Sequence, residues 1–152
     1  HFLFILLMFT GACAGSTAGG LKCVRVLALA RQAKAGLVSI LHPRAVFRIK
    51  VREKTATRRT MRSVTAFFVL YMSVFLLGAL FMSALGLDFV TSVTSAAASL
   101  GNTGPGFGSV GPAENYSHIP AAGKWVLSLL MLLGRLELYA VVLLFFPGTW
   151  RK

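Results

Sequence analysis

Side chains able to do acid–base or nucleophilic chemistry are few and scattered in this chain. Its four carboxylates, Glu53, Asp88, Glu114 and Glu137, form no nucleophile–base–acid set. Cys13 and Cys23 make no C-x-x-C pair and have no histidine at metal-ligand spacing. His42 and His118 are far apart in sequence and suggest no metal site. The chemistry on offer is that of the backbone. Thr10-Gly11-Ala12-Cys13-Ala14-Gly15-Ser16-Thr17-Ala18-Gly19-Gly20 ends the apolar run Phe2–Phe9. Gly101-Asn102-Thr103-Gly104-Pro105-Gly106-Phe107-Gly108 ends a second such run, Phe89–Leu100. A short helix, then glycine-rich backbone, then a long apolar segment is the pattern of a re-entrant pore loop. Irregular backbone at membrane depth is tolerated where it lines water or an ion path, and its carbonyl oxygens can replace a cation's hydration shell. Ion conduction is the activity this pattern implies. An integral-membrane enzyme lacks a reactive constellation.

The elements that would position these loops are hydrophobic. The 152 residues are 56% hydrophobic, with a mean hydropathy of +0.74, outside the range of ordinary soluble domains. Ser63–Leu87 contains no charged residue and is long enough to cross a hydrocarbon core of about 30 Å. Ala121–Phe146 is a second expected span, although it carries Lys124, Arg135 and Glu137. Leu21–Leu41 is a third, interrupted by Lys22, Arg25, Arg31 and Lys34. Charges at Arg25, Arg31 and Lys34 would each cost about 2.5–3.5 kcal/mol at mid-depth, so they are expected at a water-filled cavity or at the interface. His1 leads directly into Phe2–Phe9 with no basic n-region, which reads as a chain starting inside a pore helix and not as a signal peptide.

Charge sets the orientation. Of the 16 Lys/Arg, 12 lie between Lys22 and Arg62, which places the 43–62 loop in the cytoplasm. The Ser109–His118 connection has no Lys or Arg and is expected outside, and Arg151 and Lys152 put the C-terminus back in the cytoplasm. A net charge of +12 could also serve nucleic acid, but Phe47 is the lone aromatic near the basic cluster, so no stacking platform exists. No nucleic-acid partner is expected; the bilayer is. Asp88 before Phe89 predicts an N-cap for the second short helix, with Gly101 and Gly104-Pro105-Gly106 stopping it. Ala96, Ala97, Ala98 and Ser99 would let that helix approach its neighbours closely.

The glycines admit two other readings. Gly106-Phe107-Gly108-Ser109-Val110-Gly111 fits G-x-G-x-x-G, but an Ala/Ser-rich helix precedes it and Pro112 follows, the wrong context for a dinucleotide site. Glycines also serve close helix packing, which leaves open a membrane structural or assembly protein. Against this, Gly15, Gly19, Gly20 and Gly101, Gly104, Gly106, Gly108 are too dense to stay helical.

At these residues the chain resembles the bacterial Trk-type potassium-uptake proteins, the TrkH/TrkG family. Gly11–Lys22 is similar to that family's third pore loop, and Leu100–Gly108 to its fourth. Lys124-Trp125, Met131–Glu137 and Pro147–Arg151 are similar to its last helix and C-terminus. The resemblance implies an all-α integral membrane protein of helix–loop–helix repeats. Residues 1–42 would hold the third pore loop and inner helix, 43–62 the basic loop, and 63–152 the complete fourth repeat. It implies K⁺ as the transported ion, no organic cofactor, and ion contacts at the carbonyls of Cys13, Ala14, Asn102 and Thr103. Gly15 and Gly104 would be the filter glycines, and Arg135, expected near the middle of the last span, a gate. The implied setting is the bacterial inner membrane. The implied partners are the first two repeats, a second copy in a homodimer and a TrkA-type nucleotide-binding regulatory subunit. The two loops by themselves would not surround an ion. The Asn102–Gly104 loop departs from the five-residue signature of tetrameric potassium channels.

Overall fold

The structure is a computed structural model, and it describes residue 8 and residues 21–41, 50–51, 54–55 and 58–136. Four α-helices carry this part: α1 (Cys23–Leu41), α2 (Arg58–Ala84), α3 (Phe89–Gly101) and α4 (Ala121–Arg135). In the basic segment, β1 (Lys50–Val51) pairs antiparallel with β2 (Lys54–Thr55), with Lys50 opposite Thr55. Apart from that hairpin, the described residues depart from helix and loop at an isolated β-bridge at Leu21 and a short 3₁₀ turn at Gly108–Val110.

The charge-free run folds as one helix, longer at its start than expected. α2 begins at Arg58 and so takes in Arg58, Arg59 and Arg62, whose unbranched stems are good helix formers. Its 27 residues rise about 40 Å. The stretch Thr60–Ala84 is long and apolar enough to cross a membrane. It ends three residues before Leu87, because Gly86 at φ 85 closes a turn with its N–H on the Ser83 carbonyl at 3.0 Å. The other two expected spans differ. α1 covers 19 residues of Leu21–Leu41. α4 has 15 residues and ends at Arg135, with Leu136 at φ −78, ψ 3 carrying its N–H back to Leu132. Arg135 is the last residue of α4, and the sequence placed it near the middle of the expected span Ala121–Phe146. Residues 137–152, with Glu137 and Trp150, lie outside the described residues.

The helices pack as a layered hairpin in which α3 lies between α2 and α4, with α1 against α2. Met82, Ala96, Leu100, Leu127 and Leu130 form the centre of the core. Thr65 Oγ1 donates to Gln32 Oε1 at 3.1 Å and joins α1 to α2. The Arg25 guanidinium stands 4.1 Å from the centroid of the Phe67 ring, which stacks on Tyr71. Arg25 is half-buried there, while Arg31 and Lys34 are exposed. A desolvated cation over an aromatic face recovers part of its lost hydration, by ~0.5–2 kcal/mol.

The α3 start is capped as its sequence predicts. Asp88 has extended backbone, and its carboxylate accepts from the Thr91 N–H at 3.2 Å. The Thr91 side chain, together with that N–H, holds the Asp88 carboxyl below the usual carboxylate range. A depressed folded pKa means the cap contributes fully above the ordinary carboxylate pKa and is lost as pH falls through the folded value. Thermal unfolding of the purified protein should show Asp88→Ala lowering the midpoint. Asp88→Asn, which still offers a side-chain oxygen, should keep most of the stability and lack the native acid loss below about pH 4.

Candidate functional site

The segment 101–108 is held in a shape that a helix cannot supply. α3 stops at Gly101, as the sequence suggested. Gly101 is the last helical residue, and Asn102 takes the left-handed conformation at φ 53, ψ 38. The Thr103 N–H reaches the Ala98 carbonyl at 3.0 Å, and the Asn102 N–H reaches Ser99 at 3.2 Å. This is the Schellman closure, in which a left-handed residue lets two late N–H groups turn back onto the helix end. Asparagine is the side chain that best tolerates that backbone after glycine. Here it has a second task, because its amide Nδ2 donates to the Met131 carbonyl of α4 at 3.1 Å.

Gly104 follows at φ 103, a region open essentially to glycine. A Cβ added at Gly104 would meet nothing within 4 Å, so its need for glycine comes from backbone angle and not from crowding. Gly134 is the opposite case. A Cβ there would overlap the Leu100 carbonyl oxygen and come within 2.9 Å of Asn102 Nδ2. The backbone of α4 thus runs directly against the end of α3, and Arg135, exposed, is the next residue along. Gly101 makes a third close approach, its Cβ position lying 3.0 Å from the carbonyl of Met8. Met8, a residue of the first apolar run, thus lies at the C-terminal end of α3. Cys13, Ala14 and Gly15 lie outside the described residues.

Beyond Gly104 the loop is clasped by threonines the sequence reading did not single out. Thr94 Oγ1 accepts from the Phe107 N–H at 3.0 Å and donates to the Val90 carbonyl at 2.7 Å. Thr91 Oγ1 accepts from the Ser109 N–H at 3.1 Å. Ser109 Oγ lies 3.0 Å from His118 Nε2, which links the outer connection to the same clasp. Both threonines are fully buried. Hydroxyls spaced three residues apart on a short apolar helix were the available signal, since buried hydroxyls must find partners. The Tyr116 hydroxyl donates to the Gly104 carbonyl at 3.0 Å. Among the described residues none donates to the carbonyls of Asn102 or Thr103. Among the described residues, then, the chemistry the site offers is that of carbonyl dipoles without donors, those of Asn102 and Thr103 included. The G-x-G-x-x-G stretch follows a helix and contains the 3₁₀ turn, not a strand-to-helix turn.

α2 carries a 25-residue stretch long and apolar enough to cross a membrane, and beside it lies a short buried helix that ends in left-handed backbone. Residues 1–150 match the TrkH family, described as a cation transport protein, and the chain belongs to that family. It is 40% identical to the Trk system potassium uptake protein TrkH of Escherichia coli K12, across 99% of this chain and 32% of that protein. The same organism's TrkG is also 40% identical, across 99% of this chain and 31% of its own length. The crystal structure of the potassium transporter TrkH from Vibrio parahaemolyticus superposes with a TM-score of 0.87 at 38% identity, covering 99% of this chain and 32% of that one. The chain thus spans about a third of the length of these relatives.

The two kinds of glycine separate in a stability measurement. Gly134→Ala must push α4 away from a backbone carbonyl and should cost at least the ~1–3 kcal/mol typical of overpacking. Gly78→Ala meets only the flexible end of Leu130, at 2.7 Å, and should cost less. Thermal midpoints of the two purified variants provide the check, and equal losses would contradict the contact.

Proposed function

We propose that this chain builds part of the pore of a potassium-uptake transporter, with Asn102–Gly104 as one wall of its ion filter. The observation that carries this reading is Gly104. Its φ of 103 with open space at its Cβ is a backbone requirement that helix packing does not impose. Packing accounts for Gly134 and for Gly106, whose Cβ would lie 2.7 Å from Val110. It does not account for Gly104. K⁺ sheds its hydration shell where carbonyls replace those oxygens without a charged side chain. The carbonyls of Asn102 and Thr103 are the ligands in this reading, and those of Cys13 and Ala14, before Gly15, are their counterparts in the preceding repeat.

On this reading residues 1–42 are the third loop and inner helix, 43–62 the basic cytoplasmic loop, and 63–152 the fourth repeat. Other segments of the complete pore supply the remaining walls. The names of the relatives, potassium uptake proteins of the Trk system, support K⁺ as the ion. The basic segment supports a bacterial inner-membrane orientation with the C-terminus in the cytoplasm. A second copy of the chain and a TrkA-type regulatory subunit complete the proposed assembly.

Gly104→Ala in the complete transporter separates filter from packing. The filter reading expects normal protein amount with altered Rb⁺ uptake and altered Na⁺ competition. A loss of protein with unchanged ion preference per molecule would favour the packing reading.

Arg135 is proposed to stand below the filter and to oppose cations until the path rearranges. Its neighbour Gly134 abuts the end of α3, which supports this placement. A fixed positive charge beside the path raises the barrier to a cation, and each 1.4 kcal/mol or so of barrier is about tenfold in rate. Arg135→Ala should therefore raise Rb⁺ flux about tenfold at unchanged protein amount, as tracer uptake would measure. Unchanged flux at normal expression would remove Arg135 from the gate.

A further inference from the structure

We propose that Tyr116 is a positioning residue that marks the outer boundary of the ion-binding segment by holding the Gly104–Pro105 peptide. The proposal rests on the reading of Asn102–Gly104 as a filter wall and adds to it a residue from outside the loop.

The peptide between Gly104 and Pro105 has a single polar handle. Proline carries no N–H, so this unit cannot donate, and the Gly104 carbonyl is the one group through which a hydrogen bond can hold it. Pro105 fixes its own φ, so the freedom that remains lies in ψ of Gly104, which has φ 103 and no side chain to limit it. The Tyr116 hydroxyl supplies the missing restraint, donating to the Gly104 oxygen at 3.0 Å across twelve residues of chain.

Tyr116 is itself well anchored. Its ring packs against the buried core, and its carbonyl accepts from the N–H of Ile119, a fully buried residue, at 3.3 Å. The next carbonyl, that of Ser117, accepts from Lys124 Nζ at 3.0 Å, which ties the same turn to the first turn of α4. Burial raises the hydroxyl pKa above its ordinary value, so Tyr116 remains a donor throughout the physiological range. A carbonyl turned toward a hydroxyl spends one of its two lone pairs there and is aimed away from other partners. The carbonyls of Asn102 and Thr103 carry no such commitment among the described residues. On this proposal ion coordination stops at Thr103. The role of Tyr116 is to keep the next carbonyl out of the path and so to fix the geometry, and the ion preference, of the two before it.

The test uses the complete transporter in potassium-uptake-deficient cells, with Rb⁺ as tracer and Na⁺ as competitor. Tyr116→Phe removes only the hydroxyl. It should leave protein amount and thermal midpoint near native while making Na⁺ about fivefold more effective as a competitor, the equivalent of one ordinary hydrogen bond. Replacing Tyr116 by 3,5-difluorotyrosine keeps ring and hydroxyl but lowers the hydroxyl pKa. Its Na⁺ discrimination should fall as external pH rises, whereas the native protein's should not. Gly104→Ala serves as the reference for the filter itself. Native Na⁺ competition in Tyr116→Phe, in a protein where Gly104→Ala changes it, would overturn the positioning role and leave the filter standing. Native competition in both variants would overturn the two together. If Tyr116→Phe lowers protein amount, the difluorotyrosine protein decides, and a flat pH response there would refute the proposal.

Discussion

A helix buried on every side must satisfy its own hydroxyls and its last carbonyls from within, and from Thr94 onward α3 is such a helix. From Thr94 to Gly101 every residue is buried, and Thr91 and Ser92 are buried as well. The solution is to be narrow. Ala96, Ala97, Ala98, Ser95 and Ser99 add so little bulk that α2 and α4 close on it from both sides. In a membrane, where lipid is as apolar as the helix surface, close backbone approach and interhelical hydrogen bonds carry the association. Much of the remaining structure follows from that. Gly134 exists because the end of α3 comes that near, and Gly101 because Met8 does. Ser99 Oγ is buried without a partner among the described residues, one turn before the loop.

The loop after α3 is rigid for a related reason. Its residues are too small to pack on one another, so side chains from elsewhere hold the backbone directly. Asn102 reaches to α4, Thr94 and Thr91 reach from α3 to Phe107 and Ser109, and Tyr116 reaches in from the outer connection. The carbonyls of Asn102 and Thr103, which accept from no donor among the described residues, are bracketed by these restraints. An ion site made of neutral dipoles requires this, because such dipoles discriminate among cations only through their number and spacing.

Membership of the TrkH family gives this geometry its setting, since the superposition on the Vibrio transporter extends over 99% of the chain. The glycines need not all serve one purpose within that setting. Some permit close approach and at least one permits a backbone angle, and what a Cβ would meet at each position tells them apart.

Local features were legible in the amino-acid sequence. The span beginning after Arg62, the Asp88 cap and the bounds of α3 to within one residue follow from hydropathy, side-chain capping chemistry and propensity, which act over a few neighbouring residues. The glycine-rich loop was legible as a place where helix must stop. Which residue would turn left-handed was not: Gly101 looked like the stop, and Asn102 took that backbone because its amide could also reach Met131, 29 residues away. The end of α4 at Arg135, the threonine clasps and the Tyr116 bond were equally invisible. Each depends on groups 12 to 18 residues apart, or on different helices, arriving at one place. The sequence by itself determined which segments are apolar helices and where backbone must be irregular, because those are properties of neighbours along the chain. The tertiary structure alone decided which carbonyls stay free, because a hydrogen bond depends on distances in space and no periodicity in a sequence encodes them.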